Sequence, residues 1–302
     1  MAASGGPPPL PPPPATPLAR IPLPLVQGTL FRYGSAAANV AFMSGRHPRH
    51  VVLVGGLTDG LLFAGYCHPL AARLHAAGWS LVQALLSSCH TGYGLASLDQ
   101  DADELHQLAT HLRAEWGSQG MVIVGHSTGC QDAVRYAQRH RSSSAAAPLR
   151  GVVLQAPVSD VEWLATQAGT EERVAAARRM AAEGRGEEVA FRAFDIDGAA
   201  VTARRWLSLA APGGDDDMFS SSLSDAQLAA VLGPLRGLPA LVLLSGEEEY
   251  LPPGLDYLAV GRRLVQAVGP SGRLEVVQGA THALDGKEEE GAAVIADFVA
   301  AL

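Results

Sequence analysis

The chain has 302 residues, of which 48% are hydrophobic and 17% are charged, a composition typical of a folded globular protein. Its formal net charge of −8 argues against a nucleic-acid partner, because such proteins gather Lys and Arg on one face. Gly, Pro or a charged residue interrupts each apolar run, so we expect no segment of the about 20 apolar residues that spans a bilayer.

The chain begins with a Pro- and Ala-rich arm, residues 1–20, which contains no acidic residue and lacks the apolar core of a secretory signal. We expect this arm to be disordered and one α/β domain to occupy residues 21–302. Three cysteines without CxxC spacing favour free thiols in a reducing compartment over disulfides or a zinc site. We therefore expect a cytoplasmic protein. The alternative is import into a plastid or mitochondrion, because transit peptides are also poor in acidic residues.

After the arm, short apolar runs alternate with longer helical stretches, a pattern that predicts right-handed crossovers and a mostly parallel sheet. Residues 25–33 and 39–43 are predicted to form an opening antiparallel pair. Six further runs are apolar almost throughout, as strands covered on both faces are. These predicted strands are 50–54, 79–86, 121–124, 151–154, 240–244 and 273–277. Helices predicted at 97–116 and 288–302 are among those that cover the two faces of this eight-stranded sheet.

The segment from residue 158 to about residue 222 breaks the alternation, because it contains helical Ala/Arg/Glu stretches but no strong strand. Long connections in compact domains are often functional lids. We therefore predict a small helical cap inserted after the sixth strand, with a long crossover as the alternative. Met218 and Phe219 in this segment are candidate substrate-binding residues, although core packing would explain them equally well.

The strongest functional signal is the pentapeptide GHSTG at residues 125–129. It follows the predicted strand 121–124 and precedes a predicted helix, which is the setting of the nucleophile elbow of α/β-hydrolases. So sharp a turn needs glycine on both sides, because side chains there would collide with neighbouring elements. We therefore predict the α/β-hydrolase fold with Ser127 as nucleophile. The alternative is an ordinary Gly-rich turn.

A serine hydroxyl needs a general base, and in this fold the acid and then the histidine follow the serine along the chain. His282 lies in a Gly-containing loop between the last predicted strand and the last helix, where the base belongs. The loop after strand 240–244 offers three carboxylates, residues 247–249. The usual acid-x-x-Val-Pro pattern of this loop selects Glu248, whereas counting forward from its glycine selects Glu249. A solvated acidic face is the remaining alternative.

The loop after the third predicted strand, GGLTDG at residues 55–60, is the candidate source of a second oxyanion donor. Its two glycines let the backbone approach a substrate closely. We expect the amides of Leu57 and Thr128 to form the oxyanion hole, where each lost donor costs about 3 kcal/mol. Gly56 and Thr58 are candidate substrate-binding residues.

Two further acidic features have structural explanations. Asp132 follows the elbow by one turn and is expected to cap that helix or to pair with Arg135. The run of three aspartates at 215–217 could suggest calcium, but no EF-hand spacing accompanies it. We predict no metal site.

Several motifs together resemble a known family. They are GGLTDG at 55–60, SS at 87–88 with GYG at 92–94, GHSTGCQD at 125–132, QAPVSD at 155–160 and DMFSS at 217–221. The chain is similar, over about residues 51–282, to plant and fungal α/β-hydrolases long catalogued as a domain of unknown function, which include fungal siderophore esterases acting on fusarinine-type esters. The resemblance implies an esterase-type triad, a modest cap and no cofactor. The acid loop of that family ends in DEYVP, which aligns its acid with Glu248.

We therefore predict a cofactor-independent serine esterase that cleaves a small polar or siderophore-like ester through an acyl-enzyme. A small-molecule ester is the expected partner, without nucleic acid or a membrane span. Thioesters, lactones and amides are cleaved by the same machinery, so they remain open. The alternative from another class is a ligand receptor built on the hydrolase fold with weak or no turnover.

Overall fold

The computed structural model describes residues 25–37, 39–193 and 198–302, so the predicted arm at residues 1–20 lies outside the described residues. Within these ranges the chain forms an eight-stranded sheet and a separate two-stranded hairpin. The strands in chain order are β1 (Thr29–Arg32), β2 (Val40–Ser44), β3 (Arg49–Val54), β4 (Ser80–Leu85), β5 (Gly120–His126), β6 (Leu149–Gln155), β7 (Val189–Ala193), β8 (Ala199–Thr202), β9 (Ala240–Ser245) and β10 (Gly272–Val277).

The large sheet is mostly parallel and has the order β1-β2-β4-β3-β5-β6-β9-β10. β2 pairs antiparallel with both β1 and β4, and every other neighbouring pair is parallel. All eight strands predicted for this sheet are present, with ends that differ by a few residues. The structure thus confirms the predicted α/β architecture.

Helices cover both faces of the sheet. They are α1 (Cys67–Ala76), α2 (Leu98–Trp116), α3 (Gly129–His140), α4 (Asp160–Ala165), α5 (Thr170–Ala182), α6 (Ala203–Ala210), α7 (Asp225–Leu232), α8 (Tyr257–Val268) and α9 (Glu288–Ala300), with 3-10 turns at His90–Gly94 and Gly233–Leu235. Alternate residues of β3 illustrate the two layers. Val51 and Leu53 pack in the cluster that contains residues of α1 and α9, whereas Val52 and Val54 pack with those of α2, α3 and α8.

The long helix α2 shows how local sequence sets the element bounds. The Ser97 side chain accepts a hydrogen bond from the backbone N–H of Gln100, which caps the first turn, and Gly117 ends the helix in the left-handed conformation at φ 62°. Leucines and alanines at three- and four-residue steps are buried against the sheet. The helix therefore begins and ends where the sequence predicts.

The segment at residues 158–222, which we call the inserted segment, contains α4, α5, α6 and the hairpin of β7 and β8. The expectation of no strand in this segment is wrong, since Phe191 and Val201 are paired in an antiparallel ladder. The hairpin packs on the 3-10 turn at His90–Gly94. A Cβ on Gly94 would lie 2.1 Å from the carbonyl oxygen of Ala200, so this contact depends on glycine. Long-range packing, rather than local apolar alternation, thus accounts for these strands.

The inserted segment has its own small apolar cluster. Leu164 of α4, Val174 of α5 and Trp206 of α6 are buried in it together with Tyr93 of the 3-10 turn. The ring of Phe191 meets that of Trp206 edge-on, with centroids 4.9 Å apart. The segment is therefore packed as a unit against the α/β layers. Among the described helices, none combines the length and the apolar character needed to cross a membrane.

Candidate active site

The turn between β5 and α3 holds Ser127 in a strained conformation. Its φ is 54°, a region that non-glycine residues rarely adopt and that is found in functional turns. A Cβ on Gly125 would lie 2.2 Å from the carbonyl oxygen of Gly129, and a Cβ on Gly129 would lie 2.4 Å from that of Val54. Both glycines are therefore required by the close approach of β3, β5 and α3 beneath the serine.

His282 is held by two adjacent carboxylates of the loop after β9. The ring Nδ1 of His282 is 2.7 Å from Glu248 Oε1, and the backbone N–H of His282 donates to Glu249 Oε2 at 2.7 Å. The Glu248 side chain is 1% exposed, whereas Glu249 is an exposed residue. The two candidate acids thus have different tasks, since one meets the imidazole and the other meets the main chain.

The carbonyl of His282 is also fixed, by a buried glutamine at the end of β6. Gln155 Nε2 donates to the His282 carbonyl oxygen at 2.9 Å, and Ser245 Oγ donates to the same oxygen at 3.4 Å. Gln155 Oε1 contacts Nδ1 of His126, the residue before the elbow serine. The backbone N–H of Ser127 donates to the Gln155 carbonyl at 3.0 Å. Gln155 therefore connects the elbow to the loop that carries His282.

Two aromatic side chains flank the imidazole of His282. The ring centroids of His126 and Tyr250 lie 4.7 Å and 4.5 Å from that of His282. Burial, with a smaller contribution from the nearby His282, lowers the pKa of His126 to about 3. His126 is therefore neutral near pH 7 and adds no charge beside the other imidazole.

The loop at residues 55–60, which we call the oxyanion loop after the role predicted for it, lies against the serine. A Cβ on Gly56 would lie 2.7 Å from Ser127 Cβ, which explains why glycine stands there. The backbone N–H of Gly56 donates to Asp59 Oδ2 at 2.7 Å, which closes the loop on itself. Burial raises the pKa of Asp59 above its ordinary value, although this hydrogen bond acts in the opposite direction. Thr58 of the same loop has a φ of 69°, in the left-handed region that non-glycine residues rarely adopt.

A cleft of about 340 Å³ opens above these residues. Its walls include Ser127, His282, Gly56, Leu57 and Thr58. Trp163 of α4 and Tyr250 also line it, and their rings meet edge-on with centroids 5.3 Å apart. Most of the candidates from the sequence therefore lie at one opening, which has both an aromatic wall and polar groups.

Besides Glu248, which contacts His282 but does not line the cleft, three of the candidates lie elsewhere. Met218 and Phe219 are 3% and 2% exposed and pack in the large core cluster, so in the structure they are core residues rather than walls of the cleft. The sequence left both substrate binding and core packing open, because apolar character alone does not show whether a residue lines a cleft or packs in the core. Thr128 lines a smaller cavity on the far side of the oxyanion loop.

Asp132 lies in the first turn of α3, as expected, but it does not pair with Arg135. Arg135 instead contacts Asp99 and Asp215, at 3.6 Å in each case. The Asp132 carboxyl is buried and lines the same small cavity as Thr128. Of the three aspartates at 215–217, Asp216 forms a buried ion pair with Arg205 at 2.6 Å. In the ranges that the structure describes, no three His, Cys, Asp or Glu side chains are grouped so that they could hold a metal ion.

The chain that has this arrangement of elements and glycines matches a known family over nearly its whole length. The family described as "Protein of unknown function (DUF1749)" matches residues 18–302. This chain belongs to the DUF1749 family.

Named relatives of this DUF1749 chain include hydrolases. Fusarinine C esterase sidJ of Aspergillus fumigatus is 30% identical, over 81% of this chain and 85% of that protein. The solved structure of siderophore hydrolase EstB from Aspergillus fumigatus is 26% identical with a TM-score of 0.74, covering 92% of this chain and 97% of the other. A solved α/β-hydrolase fold protein of unknown function is 23% identical with a TM-score of 0.67, covering 92% and 97%.

These comparisons confirm the predicted family and the predicted α/β-hydrolase fold. They also confirm the predicted enzyme class, because the relatives are named as esterases and a siderophore hydrolase. The DUF1749 chain is a carboxylic ester hydrolase.

Sequence reasoning missed two polar residues close to the candidates. Gln155 is part of a recognised motif, but nothing in the sequence indicates that its amide contacts a residue 127 positions later. Arg205 lies in an Ala/Arg-rich stretch where every arginine looks alike. Only the fold shows that this one is buried.

Proposed function

We propose that this DUF1749 chain hydrolyses its ester in two steps through an acyl-enzyme on Ser127. His282 removes the hydroxyl proton as Ser127 Oγ attacks the ester carbonyl, and returns that proton to the leaving alcohol when the ester bond breaks. Water, activated by the same imidazole, then attacks the acyl-enzyme. The acid is released and the proton returns to Ser127. The observation that supports this most is the strained elbow of Ser127 at the same cleft as His282.

Glu248 is the proposed acid of the triad. Its Oε1 accepts a hydrogen bond from Nδ1 of His282, a contact that keeps Nε2 free to act as the base. The burial of the Glu248 side chain supports this role, because an acceptor withdrawn from water interacts more strongly with the imidazolium that forms during attack. Glu249 is proposed to hold the main chain of His282 in place.

The amides of Leu57 and Thr128 are the proposed oxyanion donors. Leu57 lies beside Gly56, whose backbone is close to Ser127, and Thr128 directly follows the serine at the start of α3. A helix start favours negative charge, so charge that develops on the substrate carbonyl oxygen is stabilised there. Gly56 and Thr58 complete the proposed substrate contact on this side.

We propose a small-molecule ester as the substrate and the inserted segment, residues 158–222, as the cap over it. Trp163 brings an aromatic ring from this segment to the cleft. The cleft walls carry the acidic side chains of Asp59, Glu249 and Asp285, and no Lys or Arg is among the residues that line them. Like charges repel in such a site, so neutral or cationic esters fit better than anionic ones. The siderophore esters named for two relatives are candidates within that class.

Hydrolysis of p-nitrophenyl esters tests the mechanism. Wild type should release p-nitrophenol with a burst, and Ser127→Ala and His282→Ala should lower kcat by about 10⁴-fold or more. Ser144→Ala, which removes a hydroxyl from an exposed position beyond α3, is the matched control and should leave kcat unchanged. Ester hydrolysis by Ser127→Ala at the wild-type rate would contradict the proposal.

A further inference from the structure

A buried arginine joins the inserted segment to the α/β layers. Arg205 of α6 is 5% exposed. Its Nε donates to the carbonyl oxygen of Tyr93 at 2.9 Å, and its Nη1 donates to Asp216 Oδ2 at 2.6 Å. Tyr93 belongs to the 3-10 turn at His90–Gly94, so one guanidinium holds together α6, the loop after it and this turn. The planar fork of arginine can make such divergent contacts at once, whereas lysine cannot.

Arg205 also faces buried acids of three other helices. Burial raises the pKa of Asp101 on α2 to about 7, that of Asp160 on α4 to about 8 and that of Asp132 on α3 well above its ordinary value. The positive charge of Arg205 acts against this rise in all three. Oδ1 of Asp101 and Oδ1 of Asp132 are buried with no hydrogen-bond partner. The guanidinium is therefore the cation on which this acidic cluster depends.

The cluster lies directly behind the oxyanion loop. A cavity of about 20 Å³ separates them, close to the smallest space that holds one water molecule. Leu57 and Thr128 line it together with Asp101, Asp132 and Arg205. The guanidinium and the two proposed oxyanion donors thus line one small cavity, so a displacement of the guanidinium changes the packing behind both donors.

The same elements support the oxyanion loop at both ends. The side chain of Leu57 packs against the apolar cluster of the inserted segment, which includes Trp206, the neighbour of Arg205. At the far end of the loop, the backbone N–H of His90 donates to the Asp59 carbonyl at 3.2 Å. The His90 ring lies so close to Gly60 that a Cβ there would be 2.2 Å away. The turn that Arg205 binds through Tyr93 is therefore the turn that supports this end of the loop.

We propose that Arg205 is a positioning residue for the oxyanion loop, and that it holds the Leu57 amide where charge develops on the ester oxygen. The inference rests on the proposed function, because it assumes that this amide is an oxyanion donor. Stabilisation of the transition state depends on donors placed to within a few tenths of an ångström, and a misplacement of about 1 Å costs about 10²-fold in rate. Ground-state binding in the cleft depends much less on such a shift.

Arg205→Lys tests the proposal, because it keeps the charge but loses the fork. We expect kcat to fall by about 10- to 100-fold, with KM within about twofold of the wild-type value. The affinity for a trifluoromethyl ketone, which forms an oxyanion on the enzyme, should fall in parallel with kcat/KM. Arg205→Met should lower kcat further. Arg204→Lys is the matched control, since Arg204 is the preceding residue of α6 and its exposed side chain pairs with Glu187.

A merely structural role predicts a different pattern. If Arg205→Lys lowers the melting temperature but retains wild-type kcat and ketone affinity, the proposal is overturned. Should that variant fail to fold, Asp216→Asn removes the ionic partner of Arg205 while it keeps the shape of the side chain. The same fall in kcat at constant KM is expected there, and an unchanged kcat overturns the proposal.

The two levels of the account fail in distinguishable ways. Wild-type activity that depends on Ser127, together with an unchanged kcat in Arg205→Lys, contradicts only the positioning role. Wild-type activity that survives in Ser127→Ala contradicts the proposed function, and with it the role of Arg205.

Discussion

The two proposed sides of the site at Ser127, the base side with His282 and the oxyanion side with residues 55–60, are built from different interactions. On the base side, His282 donates hydrogen bonds to Glu248 and Glu249 and accepts one from Gln155. On the oxyanion side, the loop meets the serine through the bare backbone of Gly56 and is supported from behind by packing and by a buried ionic cluster. The base side should therefore respond to changes in hydrogen-bonding chemistry at constant shape. The oxyanion side should respond to changes in volume.

The largest effect is expected when Glu248→Gln changes the chemistry of the base side. An amide in place of the carboxylate no longer stabilises the imidazolium and allows the wrong tautomer of His282, so kcat should fall by about 10³- to 10⁴-fold. Glu249→Gln is the matched control, and a loss of less than about tenfold is expected, because its oxygen can still accept from the backbone N–H. Ester kinetics would show the reverse ranking if Glu249 were the acid of the triad.

Gly56→Ala tests the oxyanion side with the smallest possible change in volume. The new methyl group would lie 2.7 Å from Ser127 Cβ, so the loop or the serine must move. We expect kcat to fall by about 10²-fold, as for a misplacement of about 1 Å. Gly233→Ala is the control, because a Cβ at that position meets no atom within 4 Å. Equal kcat in the two variants would contradict the close approach.

Gln155→Leu should have a smaller effect on the base side, since it leaves the triad side chains intact. The carbonyl of His282 would keep only the longer bond from Ser245, and Nδ1 of His126 would lose its partner. We expect about a tenfold loss of kcat and a loss of about 1–3 kcal/mol in the free energy of unfolding. Urea denaturation and ester kinetics on the same preparation measure both. A variant with wild-type kcat would show that the position of His282 does not depend on this bond.

Asp160→Asn is expected to have the smallest effect on activity but a clear effect on stability. The pKa of Asp160 is about 8 in the folded chain and its ordinary value is 3.8, so between these values only the folded state keeps the proton. Stability therefore falls as pH rises through this window. The asparagine can still accept from Gln131 and has no proton to lose. The free energy of unfolding of the Asp160→Asn variant should exceed that of wild type by about 1–3 kcal/mol at pH 9, with a smaller difference at pH 5.

Urea denaturation at the two pH values measures this difference. A stability difference that does not change between pH 5 and pH 9 would mean that Asp160 keeps an ordinary carboxylate in the fold.

The sheet could be predicted from the sequence because its strands are locally encoded. The run 121–124 is apolar, is followed by glycine and serine, and is buried on both faces, so pattern and structure agree. The strand β7 was missed for the opposite reason. Val189 is 49% exposed and Arg192 is exposed, and no alternation marks the strand. Its place is set by the ladder with β8 and by the contact of Phe191 with Trp206 of α6.

The candidate site divides in the same way. Ser127, His282 and the oxyanion loop follow strand ends, and parallel strands bring their carboxyl ends to one edge, so chain order alone predicts that they meet. The cluster around Arg205 joins positions 93, 101, 132 and 216, which no periodicity connects. Met218 and Phe219 show the same limit, because apolar character does not distinguish a core residue from the wall of a cleft.

The measurement closest to the central claim is the mapping, by mass spectrometry, of the residue that a fluorophosphonate modifies in the folded chain. The account predicts one adduct, on the peptide that contains Ser127, which is lost in Ser127→Ala and forms far more slowly in His282→Ala. An adduct at another residue, or equal labelling of wild type and Ser127→Ala, would contradict it.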